Sequence, residues 1–528
     1  MPYTGVVADI PCGLGGLMTD RNQDAIPITH LIAARSVVIE RGAWRKMPGA
    51  VQFGSAIVGA PSIRTLLDWW PTATLQRLLT YAADGKVYKD DGAGDLDAVT
   101  LVSGLSTTAR GHFVTGGAET VSAARKAFLF TGADQPQVLA GDGITMTAIS
   151  APPVDWTTTK PVKGIIHRGR LWGLAGHRAY ASSPTNHEDF TTTPLQFAVF
   201  PGVGEELVAA AVFQGTLYLG KYPVGLFWLD DSDIDTANWA IRPLSTAIGC
   251  VKSPVSMLPI VDDVLILAAD GRFHLLSAVR ETAGVGVGTS DISGALGIQT
   301  FLTDTVALGS LAQLTAAWYG HKQTVLAGLP AFGGTANTVT LLLDYAGRER
   351  QEPVKPTWSD RDRVEALALR KDTDGIERPI FGDEVGRVWR LDQVTRSKGG
   401  AAYIGEYQTP HTDFAYVDPA LASRRKNFDA LEIVVIPTGQ WNLSVDTILD
   451  GQYQQTVLYD MGITGATLGS FVIGTSALAG DQVQSRRKRI GGNGRRFSYV
   501  ARNGGVAEDF AVTSARVSFR PAGEEEGR

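Results

Sequence analysis

The segment from residue 231 to residue 242 has the residue types of a calcium loop. The carboxylates of Asp231, Asp233 and Asp235 alternate along the chain, as calcium ligands do. Thr236 stands where such a loop needs glycine, and Arg242 stands where it needs a bidentate glutamate. We therefore expect an ordinary polar loop at this position and no metal site.

Three histidines recur at intervals of ten residues, at His167, His177 and His187. Metal sites usually draw on more closely spaced pairs of ligands, because two side chains must reach one ion. The spacing therefore predicts ordinary loop or strand histidines.

Enzyme motifs are weak in this sequence. Gly284, Gly286 and Gly288 resemble a nucleotide-binding loop, but the P-loop spacing and the following Lys-Ser/Thr are absent. The Gly-x-Ser-x-Gly elbow does not occur. The sequence leaves open a pair of carboxylates for glycoside hydrolysis, since the two residues can come from distant segments of the chain. The sequence thus assigns no catalytic, cofactor-binding or metal-ligating residue, and we expect no enzyme activity and no cofactor.

A basic cluster is formed by Arg486-Arg487-Lys488-Arg489 together with Arg495 and Arg496. One interpretation is contact with nucleic acid. The other is an edge strand whose alternate side chains face water or an acidic neighbour, which also protects the edge from unwanted pairing. The net charge of −6 favours the second interpretation.

Length and composition favour a large β protein. The chain has 528 residues, enough for several domains, and 60 of them are glycine, which suggests many tight turns. Cys12 and Cys250 are the two cysteines, so a disulfide framework is not expected. The N-terminus lacks the pattern of a signal peptide and no apolar run is long enough to span a membrane. We expect a soluble chain that is not exported and has no membrane anchor.

Internal repeats indicate the fold. Residues 82–88 (AADGKVY) are matched by residues 268–274 (AADGRFH), and residues 385–389 (VGRVW) form a weaker copy. Asp-Gly between apolar segments predicts a hairpin, because both residues accept positive φ angles. Further turns near positions 135, 176 and 225 give intervals of about 41 to 50 residues, the period of propeller blades. The sequence therefore predicts an all-β protein with a β-propeller.

The repeats divide the chain into three parts. We expect an extended arm without hairpins at residues 1–60, whose loss up to residue 50 would leave the propeller folded and weaken assembly. A propeller of six or seven blades follows at 61–398, with an insertion at about 281–312 where the spacing breaks. Alternating segments at 399–528 predict an antiparallel β-sandwich or jelly roll with a short acidic tail.

Several landmarks resemble the β-propeller tail hub or nozzle proteins of short-tailed bacteriophages, also called packaged-DNA stabilisation proteins. Near the start they are residues 15–20 (GGLMTD), 31–34 (LIAA) and 42–49 (GAWRKMPG). Farther on they are Trp318-Tyr319, residues 343–345 (LDY), Trp358, and residues 437–446 (PTGQWNLSVD) and 490–495 (IGGNGR). The resemblance spans most of the chain and rests on the order of short landmarks.

The resemblance implies a structural virion protein, made and assembled in the host cytoplasm. It implies a ring, typically of six copies, below the portal and adaptor proteins and near the tail fibres or tail needle. Double-stranded DNA would pass through the ring during ejection without sequence-specific binding, and residues 281–312 would be candidates to line or gate the lumen. A negative chain suits this role because it does not hold the phosphate backbone. The alternative is a receptor-binding or glycan-degrading propeller at the tail tip.

Overall fold

The computed structural model describes residues 5–11, 15–117, 125–191, 195–281, 291–347, 352–462 and 483–522. Strands dominate these residues. The first five are β1 (Val6–Pro11), β2 (Ala33–Arg35), β3 (Val37–Glu40), β4 (Ala43–Lys46) and β5 (Gly49–Phe53). Short 3-10 helices occur at Val154–Thr157, Thr236–Asn238, Leu308–Gln313, Gly320–Lys322 and Pro419–Leu421.

Four successive antiparallel sheets of four strands follow β5, and each is built from consecutive strands. The first sheet contains β6 (Ile63–Trp69), β7 (Arg77–Ala82), β8 (Val87–Lys89) and β9 (Val99–Val102). The second contains β10 (His112–Gly116), β11 (Lys126–Phe130), β12 (Gln137–Ala140) and β13 (Thr147–Ala148). The third contains β14 (Lys163–His167), β15 (Arg170–Ala175), β16 (Arg178–Ala181) and β17 (Leu195–Ala198). The fourth contains β18 (Glu206–Phe213), β19 (Thr216–Tyr222), β20 (Leu226–Asp230) and β21 (Ala240–Ser245).

Three further sheets complete the series. The fifth contains β22 (Met257–Pro259), β23 (Val264–Leu267) and β24 (Phe273–Leu275), and helices α1 (Leu276–Glu281), α2 (Ile292–Leu296) and α3 (Gln299–Thr305) come after it. The sixth begins with β25 (Thr315–Tyr319), β26 (Thr324–Leu329), β27 (Val339–Asp344) and β28 (Lys355–Ser359). The seventh contains β29 (Ala366–Lys371), β30 (Glu377–Gly382) and β31 (Val388–Gln393), and its fourth strand is β5.

The seven sheets are the blades of a closed β-propeller. The first strand of each blade packs beside the first strand of the next, and β29 of the seventh blade packs beside β6 of the first. The ring is closed by the antiparallel pairing of β31 with β5, in which Val388 lies opposite Phe53 and Trp389 opposite Gln52. The expected all-β propeller is confirmed, and the described residues form seven blades.

The hairpins that the sequence predicted join the second and third strands of the blades. Their turn geometry differs from the expectation, because Gly85 has a positive φ of 74° whereas Asp84 is not left-handed. The amide of Gly85 donates to the carbonyl of Ala82, and the amide of Ala82 donates to that of Lys86. This is a three-residue hairpin with a glycine bulge. The carboxylate of Asp84 accepts from the amide of Lys86, which explains why aspartate precedes the glycine.

A second domain follows the propeller. Its strands are β32 (Gly405–Gln408), β33 (Lys426–Val435), β34 (Asn442–Leu449), β35 (Gln452–Asp460), β36 (Gln484–Arg489), β37 (Asn493–Gly494), β38 (Phe497–Asn503) and β39 (Ala511–Pro521). One sheet has the order β3-β4-β39-β33-β36, with β1 also paired to β39 and β37 to β33. The other continues from the sixth blade in the order β28-β2-β32-β38-β34-β35. The predicted sandwich is thus present, and its second sheet is continuous with a propeller blade.

The sandwich and the propeller share a hydrophobic core. The largest cluster of buried apolar side chains includes Tyr407 and Phe497 of the sandwich as well as Leu341 and Phe273 of the propeller. Apolar burial of this kind is the dominant stabilising term in folding. The two domains are therefore packed as one body.

The prediction of an extended arm at residues 1–60 is wrong. Strands β3 and β4 form a hairpin, and β1, β4 and β5 pair with strands from the far end of the chain. The sequence does not predict this hairpin, because the two left-handed positions of its turn are Arg41, at φ 52°, and Gly42, at φ 73°. Arginine is not a residue that usually signals a left-handed turn position. The predicted boundary at residue 60 is therefore wrong, since residues 33–53 belong to the propeller and the sandwich, whereas the boundary at residue 398 falls between β31 and β32.

The predicted insertion at 281–312 is partly helical. Its described part packs against the N-terminal segment, because the carboxylate of Asp20 accepts from the amides of Gln299 and Thr300 at the start of α3. Phe301 and Leu302 are buried in the shared core. Residues 284, 286 and 288, the glycines compared with a nucleotide loop, lie outside the described residues.

Candidate functional site

The axis of the propeller holds three cavities in series, which follow the first strands of the blades. A central cavity of about 530 Å³ is lined by residues from all seven of these strands or the residues just before them. We call it the axial channel. A cavity of about 530 Å³ lies where the strands begin, and one of about 1170 Å³ lies where they end. We call these the narrow mouth and the wide mouth.

The axial channel has apolar walls and cationic side chains. Ile165, Leu258 and Ala317 are among the apolar lining residues, while Arg64 and Lys163 supply positive charge. Alternate residues of a strand face opposite sides, so the start of an inner strand places one side chain toward the axis and its neighbour between blades. Positive charge is thus concentrated in a wall that is otherwise mostly hydrophobic.

Lys163 is buried with few partners. Its Nζ lies 2.8 Å from Nε2 of His112 on the neighbouring blade. Burial lowers the pKa of Lys163 to about 7, and burial together with the adjacent lysine holds the pKa of His112 well below its ordinary value. Both shifts have the same physical origin, since a charged form is disfavoured away from water.

The narrow mouth carries a tight ionic cluster. Arg110 Nη2 lies 2.8 Å from Glu365 Oε2, and Arg110 Nε donates to Gln313 over 2.7 Å. Arg363 reaches the same carboxylate, with Nε 3.3 Å from Oε1 of Glu365. The side chains of Arg110 and Glu365 are almost fully buried. This cluster ties the second blade to the seventh and closes part of the narrow mouth.

The wide mouth contains the aromatic and acidic residue types that sugar-binding sites use. Trp70 donates its indole N–H to Asp68, whose carboxylate also accepts from Gln76. The same carboxylate accepts from the backbone amide of Lys371 and lies 3.4 Å from Arg370. The carboxylate of Asp68 is occupied by these contacts, which connect two blades. It is therefore poorly placed to deliver a proton to a glycosidic oxygen.

The residues of the calcium-like segment serve separate partners. Asp231 accepts from Arg168 and lies 2.7 Å from His167 Nε2, which joins the third blade to the fourth. Asp233 accepts from Asn238, and Asp235 caps the 3-10 helix that follows it. Within the described ranges, no group of three or more His, Cys, Asp or Glu side chains is arranged to hold a metal ion.

The other two histidines of the series lie in different surroundings. His177 Nδ1 is 2.9 Å from Lys221 Nζ, and His187 Nε2 is 3.0 Å from the carbonyl oxygen of Gly169. The spacing of ten residues therefore brings no two of the three histidines to one partner.

The basic cluster at 486–489 is strand β36, the last strand of its sheet. In the part of the chain that the structure describes, β36 pairs with β33 alone, and Lys488 and Arg489 are exposed. Strand β35, the last strand of the other sheet, lies beside it, and Arg486 Nε donates to the carbonyl of Asp460. We call β35 and β36 together the open edge of the sandwich.

A further cavity of about 460 Å³ lies where the β3–β4 hairpin meets the sixth and seventh blades. Lys322 at its wall contacts Glu40 at 2.8 Å and Asp392 at 2.5 Å. Glu40 is also 3.6 Å from Arg396. These contacts connect the N-terminal hairpin with two blades through alternating charges.

Sequence reasoning missed the channel residues. Arg64, His112 and Lys163 are separated by about fifty residues, so no local motif unites them. The signal that could have identified them is a basic residue in the first two positions of the inner strand in three consecutive blades, read at the repeat period. The described residues also contain no helix long and apolar enough to cross a membrane.

Comparisons with known proteins add little. No protein-family model matches the chain, and no curated protein matches it either. Among solved structures, the chain is similar to BBS1N, crystallised in complex with ARL6DN, at 10% identity and a TM-score of 0.40, covering 68% of this chain and 98% of that one. It is similar to the computationally designed Ika8 protein at 11% identity and a TM-score of 0.35, covering 65% of this chain and 99% of that one. At these values neither likeness indicates a function.

Proposed function

We propose that this chain is a structural protein of a bacteriophage tail, which forms a hub or nozzle ring below the portal and adaptor. DNA leaves through the ring, and the ring helps to retain packaged DNA. The landmarks at residues 15–20, 42–49 and 437–446 support the proposal through their resemblance to that family. The ring consists of several copies, six in the arrangement that the resemblance implies.

The size of the axial channel carries the structural part of the proposal. A cavity of about 530 Å³ has the volume of a small-molecule site. A sphere of this volume is about 10 Å across, which is less than the width of the major groove alone in a DNA duplex, about 12 Å. A duplex therefore does not fit through the axial channel. A conduit for DNA must therefore lie between copies of the chain, and each propeller forms part of its wall.

The open edge of the sandwich is the surface that we assign to contact with the next copy. Edge strands present unpaired backbone groups and are natural sites of association. The edge is basic whereas the whole chain carries a net charge of −6, so an edge of one copy and an acidic surface of its neighbour attract each other. Such a head-to-tail contact between unlike surfaces generates a ring when the rotation closes.

Native mass measurement of the purified chain, combined with negative-stain imaging, tests the proposal. We expect a closed ring with a lumen wide enough for duplex DNA and no turnover of glycans. A stable monomer that degrades glycans would overturn the proposal.

The wide mouth favours one alternative, a receptor-binding or glycan-degrading propeller at the tail tip. Its volume of about 1170 Å³ and its half-buried lining residue Trp70 suit a sugar chain. Binding of host-surface glycans to the monomer, lost in Trp70→Ala, would support this alternative. Retention of binding in that variant would count against it.

A further inference from the structure

Three consecutive blades bring basic side chains into the axial channel. Arg64 is the second residue of β6, while His112 and Lys163 are the first residues of β10 and β14. Arg64 also lines the narrow mouth, so it lies at the end of the channel where the strands begin, while His112 and Lys163 contact each other at the wall of the central cavity. All three residues line the same cavity.

The positive charge of this cluster is not balanced by the channel wall. Arg64, Arg110 and Lys163 line the central cavity, and none of the described residues that line it is an aspartate or glutamate. The narrow mouth, which Arg64 also lines, contains two carboxylates: that of Glu365 is shared between Arg110 and Arg363, and that of Glu384 lies 3.7 Å from Arg363. Arg64 and Lys163 have no ion pair among the described residues.

Unused hydrogen-bond donors accompany the unbalanced charge. Nε of Arg64 and Nδ1 of His112 are buried and have no hydrogen-bond partner among the described residues. Lys163 is 6% exposed, and its Nζ contacts only His112 Nε2. In its ammonium form Lys163 has three donors, so two of them have no acceptor among the described residues.

Two other buried lysines, Lys221 and Lys426, are satisfied in a different way, while buried Lys46 donates to the carbonyl of Gly505 and lies over the ring of Tyr403. Lys426 Nζ donates to the carbonyls of Leu421, Arg424 and Arg495. Lys221 Nζ donates to two carbonyls in addition to its contact with His177. Burying a polar group without partners costs free energy, so a structural lysine acquires acceptors as these two do. Lys163 departs from that pattern.

We propose that the axial channel binds a small carboxylate-bearing molecule, held by Arg64, His112 and Lys163. A planar carboxylate suits the guanidinium fork of Arg64, and a carboxylate likewise supplies acceptors to Lys163, so a molecule with a carboxylate at each end reaches both along the channel. The apolar wall, which includes Ile165, Leu258 and Ala317, packs against a short hydrocarbon body. This site is independent of ring assembly and exists in each copy.

Isothermal titration calorimetry of the full chain at about pH 6, where Lys163 with its pKa of about 7 is charged, tests the proposal with succinate, glutarate, benzoate and inorganic phosphate. We expect at least one carboxylate to bind and Arg64→Gln and Lys163→Met each to weaken it by about tenfold or more, because each removes a charged donor. Lys371→Met is the matched control, since it removes one positive charge at the wide mouth and leaves the affinity unchanged. Absence of carboxylate binding, tighter binding of phosphate than of every carboxylate, or equal weakening by the control would overturn the proposal.

A measurement on the unaltered chain covers the case in which a variant fails to fold. An amine-acylating reagent is applied near pH 7, where Lys163 is partly charged and partly free amine, with and without the carboxylate that bound, and modification is read by peptide mass spectrometry. We expect the ligand to slow acylation of Lys163 severalfold and to leave that of Lys371 unchanged. Equal acylation of Lys163 with and without the ligand would place the binding elsewhere and overturn the proposal.

Discussion

Lys163 and His112 lie on the first strands of two neighbouring blades, with Nζ and Nε2 2.8 Å apart at the wall of the axial channel. Among the residues that the structure describes, neither side chain contacts a carboxylate. The pair is therefore a buried basic site held by the closure of the propeller, and the protonation of Lys163 is linked to folding.

The first prediction concerns the pH dependence of stability. Burial lowers the pKa of Lys163 from 10.5 to about 7, so between these values the unfolded chain binds a proton that the folded chain does not. Unfolding takes up a proton in this window, and raising the pH therefore stabilises the folded state. The stabilisation gained in this way is complete above pH 10.5 and is lost as the pH falls toward about 7. Denaturant unfolding at several pH values should show a free energy of unfolding that rises with pH relative to Lys163→Met.

Lys371→Met is the control for this experiment, because that lysine is exposed. It should keep the pH slope of the unaltered chain. A slope that is the same in the chain with Lys163 and in Lys163→Met would contradict the assignment.

The second prediction concerns closure of the ring by β5. Phe53 is 7% exposed, and the guanidinium groups of Arg370 and Arg390 each lie 4.5 Å from its ring centre. Phe53→Ala should lower the free energy of unfolding by about 3–5 kcal/mol through the lost packing. Val51→Ala on the same strand should change it by less than about 0.5 kcal/mol, since Val51 is exposed. Similar losses in both variants, measured by denaturant unfolding, would speak against packing as the cause.

The third prediction concerns the N-terminal hairpin. Trp44 is 1% exposed and stacks on Tyr407 with ring centres 5.9 Å apart. Trp44→Ala should destabilise the protein by about 3–5 kcal/mol, and deletion of residues 1–48 should abolish the cooperative unfolding of the sandwich. Exposed Val7 provides the control, as Val7→Ala should be nearly neutral. An unchanged cooperative melt after the deletion would show that the hairpin is dispensable.

The fourth prediction concerns the charge contacts of Glu40. Burial raises the pKa of Glu40, but Lys322, Arg396 and Arg45 outweigh it and hold the pKa below its ordinary value of 4.5. The stabilisation is therefore present above about 4.5 and is lost as the pH falls through the lower folded value. Glu40→Gln should lower the free energy of unfolding by about 1–3 kcal/mol at pH 7 and by less in acid. Exposed Glu377→Gln should have little effect at either pH, and a loss from Glu40→Gln that is independent of pH would exclude the ionic explanation.

The fifth prediction concerns assembly through the open edge. Lys488→Glu together with Arg489→Glu reverses two exposed charges on β36. We expect fewer rings by native mass measurement and an unchanged melting temperature, since neither side chain is buried. Arg21→Glu with Lys371→Glu makes the same charge change elsewhere and should leave assembly intact. Equal ring formation by both double variants would remove the open edge from the interface.

Local sequence patterns were sufficient for the repeated hairpins. The Asp-Gly turns at 84–85 and 270–271 and the apolar strands around them are encoded within a few residues, and their period indicates a propeller. The same holds for β34 and β35, whose turn at Asp450-Gly451 has both residues at positive φ. Even the edge position of β36 follows from its run of basic residues, because a buried strand could not hold them.

The sequence by itself therefore determined the strand content, the repeat and the order of propeller and sandwich, since these depend on neighbouring residues. Only the tertiary structure decided that β5 closes the seventh blade, that β1, β3 and β4 complete the sandwich, and that Arg64, His112 and Lys163 line one channel. Pairing between strands more than 300 residues apart is selected by burial and register over the whole fold. A local sequence pattern therefore does not identify the partner strand.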